Sequence, residues 1–98
     1  MIISFQNAAT EDIFNGHKTK SALKLLPVNL WIVAGRKLDM LDSAVALEDL
    51  RSPPGNRLEQ LKRNRKGQHS IRINDQYRIC FIWTDRGPEK VEVVDYHW

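Results

Sequence analysis

The stretch from Gly67 to Trp83 constrains the fold of this chain more than any other part of the sequence. Apolar and polar residues alternate along it on both sides of the polar segment Asn74-Asp75-Gln76. Alternation with a period of two is typical of strands that have one buried face. The stretch therefore predicts two antiparallel strands joined at residues 74–76.

The alternation also assigns side chains to the two faces of this hairpin. The face that carries core residues contains His69, Ile71 and Ile73 on the first strand and Tyr77, Ile79, Phe81 and Trp83 on the second. The opposite face carries one arginine from each strand, Arg72 and Arg78. Two guanidinium groups on neighbouring strands form a rigid set of donors that suits phosphate oxygens. Two ordinary solvent-facing arginines are the alternative interpretation.

Basic side chains are concentrated in one part of the chain. The net charge is +3, but residues 51–78 carry eight basic and two acidic side chains, whereas the other residues carry seven basic and ten acidic ones. A basic block on a mildly acidic body is typical of a surface that binds a polyanion. A solvated basic loop and a surface for an acidic partner protein are two further interpretations.

The composition narrows the class of protein. A chain of 98 residues with 42% hydrophobic and 28% charged residues predicts one soluble domain over residues 1–98. The longest apolar run, residues 25–35, is too short to span a bilayer, and the N-terminus lacks the features of a signal peptide. A cytoplasmic protein that contacts no membrane is therefore expected.

Cysteine and histidine are too sparse for a disulfide framework or a metal site. Cys80 is the only cysteine, and it is expected to be a buried thiol within a strand. The three histidines lie far apart without the spacing of metal ligands. We therefore expect neither a metal nor another cofactor.

The segment before the hairpin predicts one short strand and two helices. Residues 2–5 predict the strand, and Thr10 is expected to cap a first helix that ends at Gly16. Apolar residues at helical spacing predict a longer helix over residues 29–50. Its buried stripe is expected to contain Leu30, Ala34, Leu38, Leu41 and Val45.

Two further strands are predicted beside the hairpin, over residues 57–61 and 90–96. The short links between strands indicate antiparallel neighbours. The order of elements predicts an α+β fold, with the helices packed on one face of a small, mostly antiparallel sheet.

Three blocks of sequence resemble the HigB toxins, which belong to the RelE/ParE superfamily of bacterial type II toxin–antitoxin modules. The blocks are residues 50–59, residues 67–81 and Val94-Asp95-Tyr96-His97. The match covers nearly the whole chain, and the three blocks in this order and spacing form a fairly specific combination. The resemblance implies a RelE/ParE-like α+β fold with two N-terminal helices packed on a small twisted sheet.

The resemblance also implies an activity and a set of partners. The activity is that of a ribosome-dependent endoribonuclease that cuts mRNA in the ribosomal A site and inhibits translation. The partners are a HigA-type helix-turn-helix antitoxin, the ribosome and mRNA, and operator DNA bound through the antitoxin complex. The main alternative is a ParE-like toxin that inhibits DNA gyrase on the same fold without nuclease activity. A plain RNA-binding module is the third possibility, although no glycine-aromatic RNA-binding signature is present.

The resemblance also implies roles for the C-terminal residues and raises a question about Glu59. Asp95, Tyr96 and His97 match the active-site motif of the family. Glu59 is a departure from the family, since some relatives have a histidine near this position. Either the acid–base pair differs here, with Glu59 as its second group, or the activity is weaker. An ordinary surface carboxylate at Glu59 and a frayed tail at His97 are the alternatives.

Basic residues of the central region match phosphate-contacting positions of the family. Arg72 and Arg78 match its strand arginines, and Lys62 matches a basic position in the loop before the central strand. Arg65 and Lys66 of the same loop are expected to contact RNA phosphates.

RNA cleavage without a metal uses the 2′-hydroxyl of the substrate as nucleophile, and acid–base help accelerates it roughly 10²–10⁴-fold. His97 is the best candidate for this help because its ordinary pKa, about 6.5, allows both directions of proton transfer near neutral pH. Arg78 is expected to offset the growing charge on the phosphate. Tyr96 is expected to stack on a base or orient the phosphate. Asp95 is expected either to orient His97 or to pair with an arginine.

Overall fold

Four antiparallel strands form the sheet in the computed structural model, which describes residues 1–96. The strands are β1 (Glu59–Gln60), β2 (His69–Arg72), β3 (Tyr77–Thr84) and β4 (Gly87–Asp95), and they lie in this order across the sheet. Each strand pairs antiparallel with the next, as the short links between them require. The predicted hairpin and the predicted strands on either side of it are confirmed.

The hairpin of β2 and β3 has the predicted alternation of faces. Ile71 lies opposite Ile79 and both are fully buried, whereas Arg72 lies opposite Arg78 on the other face. The turn is closed by Asn74, whose side-chain oxygen accepts hydrogen bonds from the backbone amides of residues 76 and 77, at 2.9 and 2.8 Å. An asparagine in this role replaces a backbone turn and fixes the register.

Three helices precede the sheet and pack on one of its faces. They are α1 (Ala8–Asn15), α2 (Lys20–Leu25) and α3 (Trp31–Ser43). The core between the two layers contains Leu26, Ala34, Leu38 and Leu41 from the helical side and Ile71, Ile79, Phe81, Val91 and Val93 from the sheet. The predicted α+β class is therefore confirmed. No helix within residues 1–96 is long and apolar enough to cross a membrane.

The first helix begins earlier than predicted. Its N-cap is Asn7, whose side chain accepts a hydrogen bond of 2.9 Å from the amide of Thr10. Thr10 lies inside the helix at 0% exposure, and its hydroxyl accepts a hydrogen bond of 3.1 Å from the amide of Val93. The prediction of Thr10 as N-cap is wrong because this hydroxyl satisfies the outer edge of β4 instead. The predicted end at Gly16 is confirmed, with φ of 75°.

The longest helix ends at Ser43 and does not extend to residue 50. The carboxylate of Asp49 accepts hydrogen bonds from the amides of Val45 and Ala46, at 2.9 and 3.0 Å, and this arrangement opens a separate 3-10 turn. Leu50 in that turn is buried, whereas Val45 is 90% exposed. The assignment of Val45 to the buried stripe is therefore wrong. The chain changes direction at the 3-10 turn, so the apolar residues beyond the helix no longer follow its buried stripe.

No helix is predicted over α2, although its sequence contains a capping signal. The hydroxyl of Thr19 accepts a hydrogen bond of 3.3 Å from the amide of Ala22, which is fully buried. The helix has only six residues, too few for the periodicity of its apolar side chains to indicate a helix.

The N-terminal segment covers the outer edge of β4 without forming a regular strand. Phe5 makes one parallel bridge to Val91, and the amide of Ile3 donates to the carbonyl of Pro88 at 2.8 Å. Lys90 between these contacts has a left-handed backbone, with φ of 51°. The register of β4 with β3 shifts here, between Cys80 and Ile82, which marks a bulge in β4. The predicted strand over residues 2–5 is reduced to a single bridge because this bulge interrupts regular pairing.

Candidate functional site

A positively charged cleft lies on the sheet face that points away from the helices. Its volume is about 350 Å³, and it is lined by Arg57, Glu59, Arg72, Asn74, Asp75 and Arg78. Strand pairing accounts for this cluster, since β1, β2 and β3 direct every second side chain to the same face. We call this feature the arginine cleft.

Arg78 is the most deeply buried cation of the arginine cleft, with 4% exposure. Its Nε donates to the hydroxyl of Ser70 at 2.7 Å, and its Nη2 donates to the carbonyl of Arg57 at 2.6 Å. Burial lowers the pKa of the Arg78 guanidinium, and the carboxylate of Glu59 partly offsets this effect. The group keeps its charge at neutral pH, because a guanidinium loses its proton only in strong alkali.

Arg72 has a different environment, although it lies directly opposite Arg78. Its guanidinium is half-buried and forms an ion pair with the exposed carboxylate of Asp75 in the hairpin turn. An exposed carboxylate is readily displaced, since such pairs are worth about 0–1 kcal/mol. Arg72 is therefore held only weakly by its partner, whereas Arg78 beside it is held firmly.

Arg57 also lines the arginine cleft, and sequence reasoning missed it. Its backbone is left-handed, with φ of 46° and ψ of 57°, a conformation that is uncommon for residues other than glycine and asparagine. The preceding residue, Asn56, is fully buried. The amide group of Asn56 donates to the carbonyls of Leu50 and Ser52, at 3.2 and 3.4 Å, and its oxygen accepts from the ammonium of Lys37. No sequence signal marks Arg57, apart from its membership of the basic block.

Glu59 separates the arginine cleft from a second cleft. β1 pairs Glu59 with Ser70, which places its carboxylate on the same face as the arginines. The second cleft has a volume of about 330 Å³ and is lined by residues 59–64 together with Tyr96. We call it the tyrosine cleft. A carboxylate between two clefts lined with cations is well placed to accept or donate a proton during a reaction on a bound phosphate.

Lys62 and Tyr96 both line the tyrosine cleft. Lys62 is exposed and precedes the 3-10 turn Arg63–Arg65. Tyr96 is half-buried, and its amide donates a hydrogen bond of 2.8 Å to the carbonyl of Gln76. The structure thus brings Lys62, Glu59 and Tyr96 together in the lining of one cleft.

Asp95 lies at the end of β4 and is exposed. It pairs with Tyr77 in the register, whereas the residue before it, Val94, pairs with Arg78. Alternation therefore directs the side chain of Asp95 away from the face of Arg78. Its carboxylate accepts a hydrogen bond of 3.1 Å from the side chain of Gln76. His97 and Trp98 lie outside the described residues, so the role of His97 stays a prediction.

The remaining predicted contacts, Arg65 and Lys66, have different surroundings. Arg65 is half-buried, and its Nη1 lies 3.3 Å from a carboxylate oxygen of Glu92 and 3.1 Å from the side-chain oxygen of Gln68. Lys66 is exposed directly after the 3-10 turn. Arg65 therefore links the 3-10 turn Arg63–Arg65 to β4, whereas Lys66 is open to solvent.

Two other titratable groups lie away from the clefts. Burial raises the pKa of the Cys80 thiol to about 11, so this fully buried group is a poor nucleophile at neutral pH. Burial also lowers the pKa of His69, which stacks on Phe81 at a centroid distance of 6.3 Å. Within residues 1–96, no group of three or more His, Cys, Asp or Glu side chains is placed to hold a metal ion.

The sequence matches the family model of a HigB-like toxin, described as the RelE-like toxin of type II toxin-antitoxin system HigB, over residues 3–97. It is 42% identical to Toxin HigB-1 of Vibrio cholerae over 85 residues, which cover 87% of this chain and 86% of the relative. It is 46% identical over 56 residues to an uncharacterized protein of Haemophilus influenzae, covering 57% of this chain and 55% of that protein.

The fold is also similar to that of a solved structure, the YoeB-YefM complex from Staphylococcus aureus. The TM-score is 0.59, and the alignment covers 100% of this chain and 97% of the solved chain. The sequence identity is 16%, so this similarity concerns the fold alone.

Proposed function

The chain belongs to the HigB-like family of RelE-like toxins from type II toxin–antitoxin systems, and from this premise we propose that it is an endoribonuclease that cuts mRNA on the ribosome. The observation that carries the proposal is the position of Glu59 between the arginine cleft and the tyrosine cleft. Cations that hold a phosphate and a carboxylate that moves a proton are the parts that metal-free RNA cleavage needs.

In the proposed reaction, the 2′-hydroxyl of the RNA attacks the adjacent phosphorus atom. The hydroxyl proton passes to a general base, and the bond from phosphorus to the 5′-oxygen breaks. A general acid returns a proton to that oxygen, which leaves a 2′,3′-cyclic phosphate and a free 5′-hydroxyl. His97 is one proton-transfer group and Glu59 is the other.

Arg78 and Arg72 stabilise the phosphate as its negative charge grows. The guanidinium of Arg78 is held by Ser70 and by a backbone carbonyl, so it needs little reorganisation during the reaction. Arg72 exchanges its ion pair with Asp75 for a contact with the RNA backbone. Removing one such donor from an active site typically slows a reaction about 10²–10³-fold.

The tyrosine cleft holds the neighbouring part of the RNA. Tyr96, which lines this cleft, stacks on a base, a contact that is worth roughly 1–3 kcal/mol. Lys62, Arg65 and Lys66 supply positive charge along the basic turn that borders this cleft. Asp95 supports the chain end that carries Tyr96 and His97.

The proposed partners follow from the family. A HigA-type helix-turn-helix antitoxin binds and inhibits the toxin, and the pair binds its own operator DNA. The ribosome supplies the surface that positions mRNA, because positioning accounts for much of catalysis when acid–base groups are weak. The proposed location is the cytoplasm, where these partners are found.

Primer extension on mRNA from cells that express this chain tests the proposal. We expect cuts inside translated codons with the wild type and their disappearance with His97→Ala, while thermal stability changes little. Glu59→Gln is expected to slow cleavage strongly, because the amide cannot exchange a proton. Growth arrest with intact mRNA would refute the nuclease and favour the ParE-like alternative. Damage to DNA in the same cells would then support that alternative.

A further inference from the structure

The arginine of the arginine cleft that is most available to a ligand is Arg57. We propose that its guanidinium binds a backbone phosphate of single-stranded RNA, an inference that rests on the function proposed above. The cleft has three arginines, and their surroundings differ enough to separate them.

The other two arginines already have partners among the protein's own groups. Arg72 is paired with Asp75, and Arg78 is buried against Ser70 and the carbonyl of Arg57. The side chain of Arg57 is exposed, and within residues 1–96 it makes neither an ion pair nor a side-chain hydrogen bond. A planar guanidinium in a cleft, with its donors uncommitted, is suited to bidentate recognition of phosphate.

The backbone of Arg57 is held in a conformation that its side chain does not favour. A left-handed arginine costs roughly 1–2 kcal/mol relative to a right-handed one. The amide of Arg57 donates a hydrogen bond of 3.1 Å to the carbonyl of Pro54, and the buried side chain of Asn56 anchors the preceding residue through its hydrogen bonds to the carbonyls of Leu50 and Ser52. Strained residues that the surrounding structure holds in place are concentrated at functional sites.

The left-handed conformation has two consequences at once. It directs the carbonyl of Arg57 toward Arg78, at 2.6 Å from Nη2, while its side chain lines the same cleft. One residue therefore positions the buried guanidinium and presents a second one to the ligand. Lys37 adds positive charge nearby, because its ammonium donates a hydrogen bond to the side-chain oxygen of Asn56.

The backbone conformation permits an unusually clean test. Glycine adopts φ near 46° without strain, so Arg57→Gly removes the side chain and keeps both the carbonyl and the fold. Arg57→Lys keeps a positive charge at the same position. Arg86→Gly is the matched control, because Arg86 is an exposed arginine in the turn between β3 and β4, away from the lining of the arginine cleft.

We would measure the binding of a fluorescein-labelled, 2′-O-methylated RNA oligonucleotide by fluorescence anisotropy over a series of KCl concentrations. The methyl groups prevent cleavage, so the assay reports binding alone. Arg57→Gly is expected to weaken binding about three- to tenfold and to reduce the slope of log K against log salt by about 0.7, the value for one lost phosphate contact on a single strand. Arg86→Gly should match the wild type, and Arg57→Lys should retain most of the salt slope.

Equal affinity and equal salt slope for Arg57→Gly and the wild type would overturn this inference, as would a wild type that does not bind the RNA. Cleavage in the primer-extension assay is scored separately. Intact cutting by Arg57→Gly with an unchanged salt slope refutes the role of Arg57 alone. Failure of the wild type to cut, combined with a loss of slope in Arg57→Gly, refutes the nuclease and leaves Arg57 as an RNA ligand.

Discussion

Arg72 and Arg78 lie directly opposite each other on β2 and β3, on the same face of the sheet. Two like charges in directly opposed positions destabilise a sheet. Asp75 offsets the charge of Arg72, and Arg78 is enclosed by the hydroxyl of Ser70 and the carbonyl of Arg57. The protein therefore tolerates an unfavourable pair of charges at the place where we propose that RNA binds, as binding sites often do.

The two arginines are expected to respond differently to replacement. Arg78→Ala leaves the carbonyl of Arg57 without its buried donor and should lower the free energy of unfolding by about 1–3 kcal/mol. Arg72→Ala should change it by no more than about 0.5 kcal/mol, since only an exposed ion pair is lost. Urea denaturation measures both values, and both variants should bind RNA more weakly. Equal losses of stability would show that Arg78 is not held as described.

Thr10 is expected to stabilise the fold through its hydroxyl, which accepts the hydrogen bond from the amide of Val93. Thr10→Val has nearly the same shape but leaves that buried amide without an acceptor, at a cost of about 1–3 kcal/mol. Thr10→Ser keeps the hydroxyl and is the control, for which a smaller loss is expected. Hydrogen exchange at Val93 should accelerate in the valine variant only. Comparable exchange in both variants would contradict this role.

Asn56 is expected to support both stability and RNA binding. Asn56→Ala removes the donors to Leu50 and Ser52 and should lower the free energy of unfolding by about 2 kcal/mol. The loss of these bonds should also loosen the backbone that presents the neighbouring Arg57, so RNA affinity should fall. Asn29→Ala at an exposed position is the control and should alter neither quantity. A destabilised variant with unchanged RNA affinity would separate Asn56 from the arginine cleft.

Cys80 is expected to make stability depend on alkaline pH. Its pKa rises from an ordinary value of 9.0 to about 11 in the folded chain. The unfolded chain therefore loses the thiol proton first, so the contribution to stability is complete below about pH 9 and is lost as the pH rises toward 11. The expected loss is about 1.4 kcal/mol per pH unit within this window. Cys80→Ala should show a shallower fall in denaturation experiments, and an identical slope would refute the effect.

The central hairpin and the face that carries its arginines could be predicted because both follow from local alternation. The residues that shape the arginine cleft could not. A left-handed backbone at Arg57 has no signal in the sequence, since glycine or asparagine is the residue that such a conformation normally indicates. The neighbouring Asn56 has a buried side chain that bonds to the carbonyls of Leu50 and Ser52 and to the ammonium of Lys37, 19 residues earlier in the sequence, and no periodic pattern reports these contacts.

The helical region was harder to predict for a related reason. Threonine is a residue type that often caps helices, but the hydroxyl of Thr10 accepts a hydrogen bond from Val93 of β4, which lies 83 residues away in the sequence. The end of α3 depends on one carboxylate, Asp49, that captures two amides and redirects the chain. The first effect is a contact between distant elements and the second is a local side-chain contact, and the periodicity of apolar residues reports neither.

The attachment of the N-terminal segment to β4 has a consequence for the order of events during synthesis. The hydroxyl of Ser4 accepts a hydrogen bond from the amide of Lys90, which lies 86 residues later in the sequence. Such distant contacts form only after the intervening chain is available, which delays completion of the fold. During synthesis, the N-terminal segment therefore has no strand to bond to until β4 is available, and β3 lacks its outer neighbour until then.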